Sequence, residues 1–204
     1  MAAQVLPLPV LQERLPPAPP PELDPYLDAA ARCFARHGIA RTSVQDVARD
    51  MGINRATVYR KVGTVDDMVR LLAARELYAL TTVVAGLELK ADTGPAVVVR
   101  LVATVVRHAR NHPVMRKVLT DEPELIGPFL ITYLPDAVRQ VAERITPALK
   151  WAQRNGALAR RDPTILAEWV VRIAASLILD PLPDDEVESF LSEVLTPALK
   201  KERR

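Results

Sequence analysis

Helix start and stop signals lie so close together between residues 24 and 70 that only short helices fit between them. Asp24 followed by a proline is typical of a helix start, and Gly38 is typical of a helix end. Gly52 and Gly63 mark two further ends shortly afterwards. We therefore expect the chain to begin with a group of three short helices, followed by a longer fourth one.

The second and third of these helices are predicted to form a helix-turn-helix. The Thr-Ser-Val-Gln segment at 42–45 predicts a capping box, in which Thr42 caps the helix and Gln45 reaches back to it. A tight turn at 52–54 leads into the third helix, which we expect from Arg55 to about Val62. A small apolar core should brace the two helices, made of Val44, Val47, Ala48, Met51, Ile53, Val58 and Val62.

The outward face of the third helix is predicted to be cationic and hydroxylated. Once its valines face the core, the helix presents Arg55, Thr57, Tyr59, Arg60 and Lys61. Arginine can pair with a guanine edge in the major groove, and lysine or a hydroxyl group can pair with phosphate. Thr42 and Ser43 stand at the N-terminus of the preceding helix, where unpaired backbone N–H groups can bind a further phosphate. These patterns predict double-stranded DNA as a partner.

The charge distribution supports this prediction weakly. Seven cations lie within 32–61 against two acids: Arg32, Arg36, Arg41, Arg49, Arg55, Arg60 and Lys61 against Asp46 and Asp50. Positive charge concentrated in this way is typical of a phosphate-binding surface, although a solvated helical surface can give the same count.

The remaining sequence predicts an all-α protein with three parts. Residues 1–23 are rich in proline and predict a disordered tail, residues 24–70 form the helix-turn-helix domain, and residues 71–204 form a larger helical domain. After the third helix, further helices are expected at about 65–90, 95–111, 113–121, 124–133, 136–154, 163–180 and 184–201. Pro147 should kink the helix at 136–154 or mark a break in it.

Several classes of protein are not expected from this sequence. Cys33 is the only cysteine, which excludes an intramolecular disulfide and a cysteine zinc site. His108 and His112 have a spacing that could hold a metal, but no third ligand completes the set, so we expect no metal or cofactor. The sequence has no glycine-rich phosphate loop and no GxSxG turn, and an enzyme is therefore not expected.

Neither secretion nor membrane insertion is expected. The first residues lack the basic region of a signal peptide, and prolines interrupt their short apolar run. The most apolar stretch, 165–179, carries two charges and is too short to span a bilayer. We expect a cytoplasmic protein that does not bind membranes.

The segment from about Ala29 to Leu72 resembles the tetracycline-repressor (TetR) family. The features that carry the resemblance are Phe34 and Gly38, Thr42-Ser43-Val44, Val47-Ala48, Gly52-Ile53, Thr57-Val58-Tyr59, and Gly63-Thr64 followed by acids and Met68. The resemblance implies an N-terminal three-helix helix-turn-helix domain and a C-terminal helical domain for ligand binding and dimerisation. It implies a repressor that binds a near-palindromic operator as a homodimer and is released by a ligand.

The resemblance also implies roles for individual residues. Arg55, Ala56 and Thr57 fall where the family approaches base edges, and Arg60 is a further candidate. Tyr59, Lys61 and Thr42 match positions that usually hold phosphates.

The last two predicted helices are candidates for a dimer interface. The helix that begins at Pro163 has apolar residues on two faces, so it must be covered on both sides. Pairing with a two-fold copy would cover the second face, although a core within one chain could do the same. The interface candidates are Ala167, Val171, Ala174, Ile178, Phe190, Leu191 and Val194.

The middle helices are candidates for an effector pocket. Bulky apolar residues there could line a cavity for a small hydrophobic effector, although any one of them could instead pack the core. The pocket candidates are Leu101, Val105, Phe129, Tyr133, Trp151, Trp169 and Ile173.

An alternative function is a helical protein-interaction module whose helix-turn-helix no longer binds DNA. The outward Arg55, Tyr59, Arg60 and Lys61 argue against it, because such a module need not keep them.

Overall fold

The computed structural model describes residues 4–5, 18–85, 88–89, 94–128, 130–131 and 134–200. The helices are α1 Asp24–His37, α2 Val44–Met51, α3 Arg55–Val62, α4 Val65–Ala85, α5 Gly94–Asn111, α6 Pro113–Asp121, α7 Leu134–Arg154, α8 Pro163–Leu179 and α9 Val187–Leu199. Two 3-10 turns, Pro21–Leu23 and Pro123–Leu125, one helical turn, Ile126–Pro128, and two π-helical residues, 130–131, complete the helical segments of the described residues. The predicted all-α class is confirmed.

Two short strands are the first difference from the prediction. β1, Gln4–Val5, pairs antiparallel with β2, Glu88–Leu89, so that Gln4 lies opposite Leu89 and Val5 opposite Glu88. The sequence predicted no regular structure in the first 23 residues and a helix that continued to 90. The helix ends instead at Ala85, and strands this short do not alter the fold class.

Two predicted helices contain prolines that could interrupt them. The described residues of the helix expected at 124–133 are helical but of mixed type, with a 3-10 turn at Pro123–Leu125, an α-helical turn at Ile126–Pro128 and π-helical residues at 130–131. Proline disfavours a regular α-helix, which agrees with the change of helix type at this point. Pro147 lies inside α7, which continues as one helix from Leu134 to Arg154, so the predicted alternative of a break in this helix is not observed.

The chain divides into two compact units. The head unit contains residues 16–79 and 111–130, and the body unit contains residues 1–15, 80–110 and 131–204. The predicted boundaries at 23/24 and 70/71 stay a prediction, but the head unit also includes residues 111–130, of which α6 packs against α1.

The head unit has its own apolar core. Leu27 and Phe34 of α1 meet Val47 of α2, Val58 of α3 and Met68 of α4, and all five side chains are fully buried. Cys33 is also buried there, as predicted for a small apolar side chain. Burying a large apolar side chain contributes about 1.5–3 kcal/mol, so this core can hold three short helices that would not be stable alone.

The body unit is centred on α5, α7, α8 and α9. Its core is almost entirely aliphatic, and its most buried members include Val106 of α5, Ala142 of α7, Ala167 of α8, and Leu191 and Leu195 of α9. In the described part of the chain, no helix is both long and apolar enough to cross a membrane.

Candidate nucleic-acid interface

Local signals fix both ends of α3. Asn54 precedes the helix in an extended conformation, and its Oδ1 accepts a hydrogen bond from the Ala56 backbone N–H at 2.8 Å. The helix ends at Gly63, whose φ of 75° lies in the left-handed region that favours glycine. A Cβ at Gly63 would also lie 2.5 Å from Oδ2 of Asp67. The predicted turn and helix end at these positions are confirmed.

The two sides of α3 have opposite character. Val58 and Val62 are buried and attach the helix to the core of the head unit. The other side carries the predicted DNA-binding residues: Arg55, Ala56, Arg60 and Lys61 are exposed, Tyr59 is 55% exposed and Thr57 is half-buried. Of the predicted core between α2 and α3, Met51 is only half-buried and Ile53 is exposed. Met51 still packs against the core, so Ile53 is the one predicted core residue that lies outside it.

The cations of the segment 32–61 fall into two groups. Some are already paired: Arg32 and Arg36 both contact Asp50, at 2.7 and 3.7 Å, and Arg49 contacts Asp46 at 3.1 Å. Arg55, Arg60 and Lys61 have no hydrogen-bonding or ionic partner in the described part of the chain. Arg41 donates to the His37 carbonyl at 3.0 Å and has no acidic partner among the described residues. Three of the four cations of this segment that lack an acidic partner therefore lie on α3.

The N-cap of α2 differs by one residue from the prediction. Ser43, not Thr42, precedes the helix in an extended conformation, and its Oγ accepts a hydrogen bond from the Asp46 backbone N–H at 3.3 Å. The Asp46 carboxylate in turn accepts from the Ser43 backbone N–H at 2.9 Å. The predicted pairing of Thr42 with Gln45 is wrong, because Thr42 lies in the preceding loop and Gln45 is exposed.

Thr42 and Ser43 use their own donors within the chain. The Thr42 hydroxyl donates to the Gly38 carbonyl at 2.6 Å, and its backbone N–H donates to the Ile39 carbonyl at 3.2 Å. The Ser43 hydroxyl donates to Asp46 Oδ2 at 2.6 Å. The first two backbone N–H groups of α2, those of Val44 and Gln45, have no acceptor among the described residues. They are the donors left for an anion at this helix end.

Capping hydrogen bonds also set the acidity of two aspartates. Hydrogen bonds from the side chain and backbone of Ser43 hold the pKa of the Asp46 carboxyl below its usual range. Thr64 does the same to the pKa of Asp67 at the start of α4, donating from its hydroxyl at 2.7 Å and its N–H at 2.9 Å. Both carboxylates therefore stay ionised and occupy positive helix ends that flank the helix-turn-helix.

Glu122 holds the loop between α1 and α2, a role that sequence reasoning missed. Its carboxylate accepts hydrogen bonds from the backbone N–H groups of Ile39 at 2.7 Å and Ala40 at 3.0 Å. The sequence around it was interpreted only as a helix stop before Pro123. No local pattern could have indicated this contact, because its partners are more than 80 residues away in sequence.

The predicted pocket residues are not all in one environment. Four of them are half-buried: Leu101 and Val105 of α5, Trp151 of α7 and Ile173 of α8. Of these, Trp151 and Ile173 pack against the core of the body unit. Trp169 is 47% exposed and so lies at the surface. Phe129 and Tyr133 lie outside the described residues.

The predicted interface residues divide into buried and available ones. Ala167 and Leu191 are fully buried in the chain's own core, so they have no surface left for a second subunit. Phe190 is 39% exposed. The remaining candidates are half-buried and keep some free surface: Val171, Ala174, Ile178 and Val194.

An open apolar groove lies between α8 and α9. It has a volume of about 740 Å³, and its walls include Ile165 and Trp169 of α8 and Val194 and Pro197 of α9. Ile165 is 69% exposed, yet the sequence analysis did not name it as an interface residue. Its position one turn before Trp169 on the same helical face was the signal that could have identified it.

Comparison with known proteins finds a family match in the helix-turn-helix segment. Residues 27–70 match the model of bacterial regulatory proteins of the tetR family. The chain is 29% identical to an HTH-type transcriptional regulator, Mb2274c, of Mycobacterium bovis over 165 residues. The matched residues are 81% of this chain and 82% of that relative.

Solved structures give the same fold. A TetR-family transcriptional regulator from Pectobacterium atrosepticum is similar with a TM-score of 0.62 and 18% identity, over 89% of this chain and 96% of that one. SmeT in complex with triclosan is similar with a TM-score of 0.54 and 18% identity, over 88% and 91%. The segment that matches the family model, residues 27–70, spans most of α1, all of α2 and α3 and the start of α4. Residues 27–70 thus match the helix-turn-helix DNA-binding domain of bacterial tetR-family regulators, and the fold of the chain is that of solved TetR-family structures.

Proposed function

We propose that the protein is a ligand-released repressor that binds a near-palindromic operator as a homodimer. The observation that carries the proposal is the outer face of α3, where Arg55, Arg60 and Lys61 are exposed and unpaired beside the exposed Tyr59. An exposed cation without an acidic partner keeps its full attraction for DNA phosphates. A helix anchored by two buried valines presents these groups in a fixed arrangement to the major groove.

The residues of α3 divide between reading bases and binding phosphates. Arg55, Ala56 and Thr57 lie at the start of the helix and are proposed to meet base edges, together with Arg60 one turn later. Tyr59 and Lys61 are proposed to bind phosphates.

Thr42 and Ser43 take part in a different way from α3. Their donors are engaged within the chain, so the phosphate contact at α2 is proposed to use the free Val44 and Gln45 N–H groups. The two hydroxylated residues then hold that helix end in position.

The salt dependence of DNA binding tests this assignment. Replacing Arg55 and Arg60 together by alanine removes two cationic contacts, so the slope of log K against log salt concentration should become shallower by about 2. The assay is titration of a mixed-sequence duplex by the wild-type protein and the variant at several salt concentrations. Arg139→Ala with Arg154→Ala removes the same charge from exposed positions of α7 and should leave the slope unchanged. Equal, salt-insensitive retention of wild type and α3 variant would instead support the protein-interaction module.

The proposed dimer uses the exposed apolar face of α8 and α9. Ile165, Trp169 and Phe190 are among the large apolar side chains that stay exposed, and Val194 and Pro197 follow Phe190 on one face of α9. A contiguous apolar surface of this kind is typical of an interface. A second copy offers the same surface, and a two-fold axis lets both be buried at once. Two heads related by that axis would require two operator half-sites in opposite orientation.

The proposed effector is a small apolar molecule bound within the body unit. The similar SmeT structure holds triclosan, a small molecule. In this chain the half-buried Leu101, Val105, Trp151 and Ile173 are the candidate contacts, while the exposed Trp169 is better placed for the dimer. A compound of this class should quench Trp151 fluorescence in a Trp169→Phe variant and release the wild-type protein from DNA. Compounds that bind near Trp151 without weakening DNA binding would contradict ligand release.

A further inference from the structure

The Glu122 side chain is a buried carboxylate without a cationic partner. Its residue is only 1% exposed, and no ion pair to it is found in the described part of the chain. Its two oxygens are satisfied by backbone donors instead: Oε2 by the N–H of Ile39 and Oε1 by the N–H of Ala40. A buried charge with this arrangement depends on both donors, because leaving either oxygen unsatisfied is costly.

The backbone of Glu122 is held from both sides. Its N–H donates to the Val118 carbonyl at 3.1 Å at the end of α6, and its carbonyl accepts from the Leu125 N–H at 3.0 Å in the following 3-10 turn. The residue is therefore fixed at the junction of two helical segments, and its side chain reaches the α1–α2 loop from a rigid position.

The loop is shaped to receive this carboxylate. A Cβ on Gly38 would lie 2.5 Å from both Cδ and Oε1 of Glu122, and the φ of Gly38 is 88°. Only glycine satisfies both conditions. The Gly38 carbonyl also accepts the Thr42 hydroxyl. A continuous series of contacts thus leads from Glu122 through the loop to Thr42, two residues before α2 begins.

We infer that Glu122 is a positioning residue for DNA binding: it holds residues 38–42 so that the free N–H groups at the start of α2 face a DNA phosphate. This inference rests on the proposed function, in which the Val44 and Gln45 N–H groups make that contact. Glu122 is buried and does not touch DNA itself. It acts by ordering the loop before binding, so that association does not have to order it.

A Glu122→Gln variant tests the inference. The amide keeps the size of the side chain, but it loses the charge and turns an NH2 group toward one of the two N–H donors. The affinity for a mixed-sequence duplex should fall about tenfold, with an unchanged salt slope because the cations of α3 remain. Amide exchange at Ile39 and Ala40 should become faster. Glu124→Gln removes the same charge from an exposed position nearby and should change neither property.

A purely structural role for Glu122 would give a different result. It would lower the DNA-binding fraction of the sample, measured by stoichiometric titration, without changing the dissociation constant of the active fraction. An unchanged dissociation constant together with faster exchange at Ile39 and Ala40 would overturn the inference and leave the proposed function standing. If the wild-type protein itself failed to bind the duplex, the proposed function would fall instead.

A second variant covers the case in which Glu122→Gln does not fold. Glu122→Asp keeps the charge but is one methylene shorter, so its carboxylate cannot reach both N–H groups as Glu122 does. We expect a smaller loss of affinity than the tenfold one, with faster exchange at one or both amides. Wild-type affinity in this variant, with either amide exchanging faster, would also overturn the inference.

Discussion

The exposed face of α3 and the exposed face of α8 and α9 have opposite chemistry. On α3 the apolar valines are buried, and the exposed groups are two arginines, a lysine and a tyrosine. On α8 and α9 all the leucines but the half-buried Leu179 are buried, yet Ile165, Trp169 and Phe190 are left exposed. The first surface suits a charged and hydrated partner, and the second suits a partner that can exclude water. The difference indicates that one chain carries two binding surfaces whose responses to salt should differ.

The largest expected effect concerns the apolar surface. Replacing Trp169 and Phe190 together by glutamate places two charges in the proposed interface, and truncating a central aromatic there typically costs 2 kcal/mol or more. The dimer dissociation constant, measured by analytical ultracentrifugation, should rise about a hundredfold or more.

Tyr59→Glu is the matched control, since it puts the same charge on an exposed aromatic of the head unit and should leave the dimer intact. Raising the salt concentration should weaken DNA binding by the wild-type protein but not dimerisation. A wild-type protein that is monomeric at micromolar concentration would refute the interpretation of the α8–α9 surface.

A smaller effect is expected from the cap of α2. Ser43→Ala removes the N-cap acceptor and should lower the free energy of unfolding of the head unit by about 1 kcal/mol. Gln45→Ala should have almost no effect, because Gln45 is exposed and makes no capping contact. Urea unfolding of both variants measures the difference. The reverse order of effects would restore the pairing of Thr42 with Gln45 that the sequence predicted.

The smallest effect is expected from pH. The pKa values of Asp46 and Asp67 are lowered in the folded chain, so their stabilisation is complete above the usual aspartate value near 3.8. It is lost as the pH falls through the lowered, folded-state pKa values. The stability difference between the wild-type protein and an Asp46→Asn/Asp67→Asn variant should therefore shrink on acidification below pH about 4. A difference that stays constant would exclude these two carboxylates as the cause.

Much of the helix-turn-helix part of the head unit could be predicted, because the sequence signals for its helix ends and its buried face are local. Asn54 as a cap, Gly63 as a helix end and the burial of Val58 and Val62 follow from turn chemistry and helical periodicity. The cap of α2 was missed by one residue, because Thr42 and Ser43 are both good caps in sequence. The hydrogen bond from Thr42 to the Gly38 carbonyl decided between them.

The body unit was harder to predict because periodicity does not say what covers an apolar face. The sequence placed two apolar stripes on α8 but could not show that Ala167 lies in the chain's own core. It assigned Trp169 to an enclosed pocket, whereas that side chain borders an open groove with Val194 and Pro197. Ile165, the most exposed large apolar side chain of the groove, was predicted neither as a pocket residue nor as an interface residue.

The sequence by itself determined which segments are helical and which side of α3 carries charge. Both follow from the order of neighbouring residues along the chain. The tertiary structure alone decided that Glu122 satisfies the N–H groups of the α1–α2 loop and which apolar residues of α8 and α9 remain exposed. These outcomes depend on segments distant in sequence meeting in space, and a buried carboxylate takes whichever donors the packing brings to it.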